Sequence, residues 1–519
     1  MRFRALLILI ALASAPLASA GARPNLLLFL ADDMTWTDLG CYGNPDVKTP
    51  NIDRLAGEGV RFTRCYNAAP TCSPLRQSLY TGLYPVRNGA HPNHSRVREG
   101  LRSLPHHLKP LGYRTAIVGK RHEAPAKAFP FEYLGGSHGD MGRTPDGADL
   151  PLGKAREFMA RDADQPWCLV IASNQPHTPW NRGDASAYPP ARLTVPPFLV
   201  DTPELREGLS KYYAEITYMD GQVGRVMRDL KELDAEKNTV ALWLSEQGSQ
   251  LPFGKWTCYD MGVHAAAVLR WPGTVAKGTT SDALLSYVDV VPTFVELAGG
   301  EPAALDLDGR SFAPLLKGET TTHNEVVFSM NTTRGIYHGS EAYGIRSATD
   351  GRWLYIRNLH SESRFQNSVT QRGAIFDSWR RVDSDFARAR VEAYQARATE
   401  ELFEQGPLVP GQSCGQAGIC DETGRAFPPP GCLDAPTGRP GRRHRTLGPT
   451  TPTEGQTMDK ERRIRPAGAM NSVTRVARPS RLAVPATSRR MIPITGRGRP
   501  VNPQGRLRHE RSAASTNMD

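Results

Sequence analysis

Long apolar runs are missing from this 519-residue chain beyond its first twenty positions. No stable membrane span is therefore expected, because a spanning helix needs about 20 apolar residues in succession. Cysteine is also scarce, with eight residues at positions 41, 65, 72, 168, 258, 414, 420 and 432. No pair in the body has zinc-ligand spacing, and a chain this long can bury a core without a disulfide framework. Cys41 and Cys65 are expected as small buried residues, the alternative being a bridge between them in an oxidising compartment. Charge of one sign is absent from residues 1–404, which hold 45 basic and 45 acidic side chains. The net charge of +11 belongs wholly to residues 405–519, where 19 Lys and Arg face 8 Asp and Glu. The body thus gives no electrostatic case for a nucleic-acid partner.

That basic tail is rich in Arg, Pro, Gly and Thr and has no apolar period of 3.6 or 2, so it has no evident core to bury. Three readings stay open for it: solvated disorder, a polyanion-binding arm, and an out-of-frame translation beginning near Phe403 and Glu404. The other end reads as a secretory signal peptide over residues 1–20. Arg2 and Arg4 precede an apolar run at 5–13, and Ala18-Ser19-Ala20 is a small-residue cleavage site. A secreted or periplasmic protein is expected, with an uncleaved anchor as the alternative.

What is present is organised around residues 70–82, PTCSPLRQSLYTG. Cys72, Pro74 and Arg76 form C-x-P-x-R. Pro74 suits a first helical turn, where its missing N–H would be unpaired anyway. Cys72 is then expected just outside a helix N-terminus, where free N–H groups favour an anion, and Arg76 adds positive charge one turn on. Taken alone, the same pattern also fits a small buried Cys before an ordinary helix.

From residue 22 to about 300, apolar runs alternate with amphipathic segments, which predicts an α/β fold with a mainly parallel sheet flanked by helices. Strands are expected at 25–31, 115–118, 167–172 and 239–244. Residues 104–111 read as a helix, and 209–233 as a long amphipathic one. Each strand is followed by chemically capable residues: Asp32 and Asp33; Lys120 and His122; Gln175, His177 and Thr178; Glu246 and Gln247, with Lys255 beyond. Any one could be a turn or capping residue. Four strand ends of this kind predict one convergent site, because ligands of open α/β sheets bind beyond the carboxyl ends of the strands. After residue 320 the texture changes. Strands are expected at 325–330, 342–346 and 352–357, the last two joined by the turn signal Thr349-Asp350-Gly351, with helix-like sequence at 386–403. The expected division is a catalytic α/β domain at 22–320, a smaller antiparallel-sheet subdomain at 321–404, and the tail.

In combination these stretches resemble the type I sulfatases of the alkaline phosphatase superfamily. The resemblance runs from about residue 23 to 402. It is carried by PNLLLFLADD (24–33), TPNIDRLAGEGVRFTRCY (49–66), CSPLRQSLYTG (72–82), GYRTAIVGKRH (112–122), PHTPW (176–180), LSEQG (244–248) and PFGKWTCYDMGV (252–263). GKRHEAP and FPFEY (119–125 and 129–133) are most similar to the sulfamidase-like branch. The resemblance implies an alkaline phosphatase-like fold and a sulfated saccharide substrate. It also implies that a formylglycine-generating maturation enzyme converts Cys72 to Cα-formylglycine, the nucleophile. Asp32, Asp33, Glu246 and Gln247, with the modified Cys72, would hold Ca²⁺ or Mg²⁺. Arg76 would steady the modified side chain, and Lys120 and Lys255 would stabilise sulfuryl oxygens. His122 would help break down the sulfated intermediate, and His177 would protonate the leaving group.

Some positions depart from the family pattern. Glu246-Gln247 stands where Asp-Asn or Asp-His is usual, one methylene longer at each side chain. Leu75 replaces a common Ser, and Arg121 a common Trp. Beyond Leu402 the usual continuation is missing, which puts closure of the small subdomain in question. Two other readings remain: a phosphodiesterase or phosphonate hydrolase on the same scaffold, and an inactive glycan-binding relative with a damaged C-terminus.

Overall fold

The computed structural model describes residues 23–136, 149–340 and 342–405. The signal peptide read at 1–20 and all of the basic tail but Gln405 lie outside the described residues.

Strand β1 (Asn25–Leu30) shows why the sheet sits where it does. Leu26, Leu28 and Leu30 enter one apolar cluster, while Leu27 and Phe29 enter another on the opposite face. A strand buried on both faces belongs inside a sheet covered on both sides. Its companions are β2 (Val60–Tyr66), β3 (Arg114–Gly119), β4 (Glu132–Tyr133), β5 (Trp167–Ala172), β6 (Thr239–Leu244), β7 (His264–Arg270), β8 (Thr279–Ser281) and β9 (Leu285–Ser286). Among the described residues the order is β4-β3-β5-β1-β6-β7-β2-β8, with β9 beside β2. Only β7 runs against the others, pairing antiparallel with β6 and β2. The fold is therefore the expected mixed, mainly parallel α/β sheet. Because β2 points the same way as β1, β3, β5 and β6, the loop that follows it emerges at the same end of the sheet as theirs.

The long helix spans Pro203–Glu232, six residues further toward the N-terminus than the sequence pattern suggests. Thr202 caps it by accepting from Leu205 N at 3.2 Å, and Pro203 occupies the first turn, so polar sequence here is start signal rather than loop.

A second, antiparallel sheet has the order β10-β11-β12-β13, from Val327–Thr332, Gly344–Thr349, Trp353–Asn358 and Glu400–Glu404. The expectation of helix through 386–403 is corrected here. The helix is Asp385–Gln395, and the chain then extends as β13. The reason is an inverted pattern. Glu401 points inward, where Tyr259 Oη and Asn358 Nδ2 donate to it at 2.9 and 2.6 Å, while Leu402 points outward. Alternation with the charge inside does not read as a strand. The closure questioned by the sequence is nonetheless complete. Gln405 Oε1 accepts from Tyr66 Oη and Thr349 Oγ1 at 2.9 and 3.0 Å, and its Nε2 donates to Asp260 Oδ1 at 2.6 Å. The small sheet is pinned to the large one by Met330 N donating to Ala68 O and Asn331 Nδ2 donating to Trp256 O.

Candidate active site

Five strand ends meet around Cys72. The helix Cys72–Thr81 begins at Cys72 itself, with Thr71 as its extended N-cap, so the cysteine is the first helical residue rather than a flanking one. Pro74 fits inside that first turn because no intrahelical bond needs its nitrogen. Thr71 Oγ1 donates to Asn331 Oδ1 at 2.8 Å, which ties the helix start to the small sheet. All ten residues of the helix are buried. Gly82 ends it at φ +69°, a left-handed conformation suited to glycine, close against Val291 and Leu307.

The ionic network is dense and dry. Lys120 Nζ lies 2.5 Å from Asp32 Oδ2, and Lys255 Nζ 2.5 Å from Asp33 Oδ2. Arg76 Nε lies 2.5 Å from Glu246 Oε1, without the alignment of a hydrogen bond, and Arg76 Nη2 is 3.6 Å from Asp32 Oδ1. Cys72 Sγ is 3.8 Å from Asp33 Oδ1 and 3.5 Å from Gln247 Nε2, which also donates to Asp33. His177 Nε2 is 3.4 Å from Asp33 Oδ2, while Thr178 O accepts from its Nδ1 at 2.6 Å. Asp33 adopts φ +62°, a conformation that costs most side chains energy and that Asp tolerates better than others.

Every site residue read from the sequence lies in this assembly: Cys72, Arg76, Lys120, His122, His177, Lys255, Asp32, Asp33, Glu246 and Gln247. They form two tiers. Cys72, Lys120, His122, His177 and Lys255 line a cavity of about 660 Å³. Asp32, Asp33, Arg76, Glu246 and Gln247 lie beneath it, buried. Sequence reading missed His94, whose Nδ1 is 2.9 Å from His122 Nε2, together with the cavity-lining Trp256 and Tyr337. His94 and Tyr337 follow no strand of the large sheet, so no positional signal marked them, and Trp256, next to Lys255, carries no ionisable group to single it out.

Burial and charge compete at each group. Burial raises the Cys72 thiol to about 11, outweighing Lys120 and Lys255. Burial also pushes Glu246 well above the usual carboxylate range, and the adjacent Asp32 adds to that; Asp32, despite its own burial, is held well below by Lys120 and its other partners. Burial thus favours the neutral form at Glu246, while Asp32 stays ionised beside it. Burial lowers His177 to about 4 and His122 well below its ordinary value.

The donor set fits a hard divalent cation. One oxygen of Asp32, both of Glu246 and that of Gln247 are buried without hydrogen-bond partners. Asp32, Asp33, Cys72 and Glu246 offer ligand atoms within 4.8 Å of one another. Turning the Gln247 amide over would place its oxygen beside Asp33 and complete an oxygen-rich cage. A cation there would also favour the ionised form of Glu246.

A mainly parallel sheet with this buried polar floor and a small antiparallel sheet beside it places the chain among the alkaline phosphatase-like hydrolases. Within that class it belongs to the sulfatase family, as a sulfamidase-like type I sulfatase, and is a sulfuric ester hydrolase. The Sulfatase family model matches residues 24–300, and the model for the C-terminal region of N-sulphoglucosamine sulphohydrolase matches 248–363. The ulvan-active sulfatase of Formosa agariphila is 32% identical over 390 residues, covering 74% of each chain. Human N-sulphoglucosamine sulphohydrolase is 28% identical over 396 residues, covering 66% of this chain and 75% of its own. The phosphonate monoester hydrolase of Agrobacterium radiobacter shares the fold, with TM-score 0.55 at 20% identity over 71% of this chain and 94% of its own. Sulfatases generally use a formylglycine and a divalent metal.

Proposed function

We propose that the protein is an exported sulfatase that releases sulfate from a sulfated saccharide, as an O-sulfate ester or an N-sulfamate. The observation that carries this is the buried, partnerless oxygen cluster packed against Cys72 at the floor of an open cavity. Relatives named for ulvan and for N-sulphoglucosamine support a glycan substrate.

The thiol of Cys72, kept protonated by burial, is a poor nucleophile, so this reading assigns the attack to the Cα-formylglycine into which a maturation enzyme would convert it. Hydrated, that group supplies one hydroxyl to attack sulfur and a second whose deprotonation expels sulfate. Asp32, Asp33, Glu246 and Gln247 would hold Ca²⁺ or Mg²⁺, which supplies a Lewis acid for the sulfate oxygens. Lys120 and Lys255 are anchored by Asp32 and Asp33, so their ammonium groups stay charged at the cavity floor and receive the sulfuryl oxygens. Arg76 holds Glu246 from below and supports the residue 72 side chain through the helix they share. Thr178 O keeps a proton on His177 Nδ1, so Nε2, 3.4 Å from Asp33 Oδ2, is the nitrogen that gains the second proton and, as imidazolium, delivers it to the departing oxygen or nitrogen; the Asp33 carboxylate favours that charged form against burial. His122, oriented by His94, serves the second half of the reaction.

The test pairs peptide mass spectrometry of residue 72, after co-production with the maturation enzyme, with sulfate release from defined sulfated saccharides. Conversion at residue 72 with turnover that chelation abolishes is expected. A thiol that stays unmodified while control sulfatases mature, or much faster phosphoester turnover, would overturn the proposal.

A further inference from the structure

Part of the cavity wall comes not from the large sheet but from the segment around the short helix Ser368–Arg372 and the loop bearing Tyr337. This wall is rigidly built. Asn367, fully buried, accepts from Val369 N and Thr370 N at 3.0 and 3.3 Å and donates to Tyr394 Oη at 3.0 Å. Ser368 Oγ donates to Tyr337 O at 2.6 Å and joins helix and loop. On this support Arg372 lines the cavity, its guanidinium 5.9 Å from the ring centroid of Tyr337, which is 69% exposed.

Arg372 differs from its neighbours in one respect. Arg364, Arg380, Arg381 and Arg388 each contact a carboxylate: Glu392, Asp377, Glu204, and Asp383 with Asp385. Arg372 has no carboxylate partner among the described residues. An uncompensated cation beside a cavity that already carries Lys120 and Lys255 raises the local positive potential, which is favourable only toward an anion.

We propose that Arg372 binds a second acidic group of the substrate, so that the preferred sugar carries another negative charge besides the sulfate removed. This deepens, and rests on, the sulfatase reading of the same cavity. The planar guanidinium fork suits either a carboxylate of an adjoining uronic acid or a second sulfate, and the exposed ring of Tyr337 offers an apolar face for the sugar.

The experiment compares the matured full chain with Arg372→Gln and Arg372→Lys on three substrates. These are a monosulfated hexosamine, the same hexosamine carrying two sulfates, and a disaccharide joining the monosulfated hexosamine to a hexuronate. Arg372→Gln is expected to raise KM about tenfold for a doubly charged substrate, with kcat and the monosulfated sugar nearly unchanged. Arg372→Lys should fall between. Loss confined to the uronate disaccharide identifies a carboxylate, and loss confined to the disulfated sugar a second sulfate. An equal change on all three substrates, or none on any, overturns the proposal. If the unmutated chain releases sulfate from none of them, a hexosamine sulfate as its substrate fails. Calorimetric binding of the disulfated sugar and of the uronate disaccharide to Cys72→Ala then decides the role of Arg372. Binding of either about tenfold weaker in the double variant supports it, and equal binding of both overturns it.

Discussion

Asp33 meets Lys255, His177, Gln247 and Cys72 from four different segments of the chain. A carboxylate buried that deeply is tolerable because Lys255 sits 2.5 Å away. Lys255→Met is therefore expected to destabilise the metal-free protein by about 3 to 5 kcal/mol, by leaving a buried charge without its main partner. The same change should lower kcat by about 10²–10³, as removal of a fixed stabilising charge does. Chemical denaturation and steady-state kinetics read the two effects separately. Asp38 offers a pH test away from the catalytic groups. Burial raises it to about 7, against the bonds it accepts from Tyr212 and other neighbours. Its folded value exceeds its unfolded one, so its contribution to stability is complete below about pH 4 and is lost as pH rises through about 7. Asp38→Asn should flatten the fall in stability between pH 4 and 7 by up to about 4 kcal/mol, measured by urea denaturation across that window.

At the scale of elements, the site is held by turns that leave no room for a side chain. A Cβ added at Gly248, next to Gln247, would stand 1.8 Å from Met261 O. Gly248→Ala must move the loop after β6, and with it Gln247. The expected result is a stability loss of about 1 to 3 kcal/mol with weaker divalent-metal binding, read by thermal melting and titration calorimetry. Gly57→Ala is the control, since nothing lies within 4 Å of a Cβ there, and it should be neutral or slightly stabilising. The helix Cys72–Thr81 shows the same logic in another form. Every one of its residues is buried, so its sequence obeys packing on all sides rather than an amphipathic stripe.

At the scale of the whole molecule, the two sheets depend on each other. β13 completes the small sheet through its pairing with β12, and Phe403 packs edge-on to Tyr259 with centroids 5.7 Å apart. Gln405 then reaches Tyr66 at the end of β2. A chain ending at Thr399 is expected to lose cooperative unfolding or melt far below the full chain. One ending at Gln405 should keep its cooperative transition, and scanning calorimetry distinguishes the two. The strand ends were legible because a parallel sheet forces its catalytic loops to one edge: Asp32, Lys120, His177 and Glu246 each stand within five residues of a strand's last residue. β13 was not legible, because one of its two inward positions, Glu401, is charged and the outward one between them is Leu402.

The amino-acid sequence alone determined the α/β class, where four central strands lie along the chain, and that polar residues follow each of them. Apolar runs and the polar groups that follow them are local patterns, and local patterns survive in one dimension. Only the tertiary structure decided which of those residues face the cavity and which lie beneath it. It also decided that Cys72 starts its helix, that His94 reaches His122, and that Arg372 lines the cavity with no carboxylate partner among the described residues. These are facts of distance between segments as much as several hundred residues apart. Burial and charge pairing there depend on what packs nearby, which no spacing along the chain encodes.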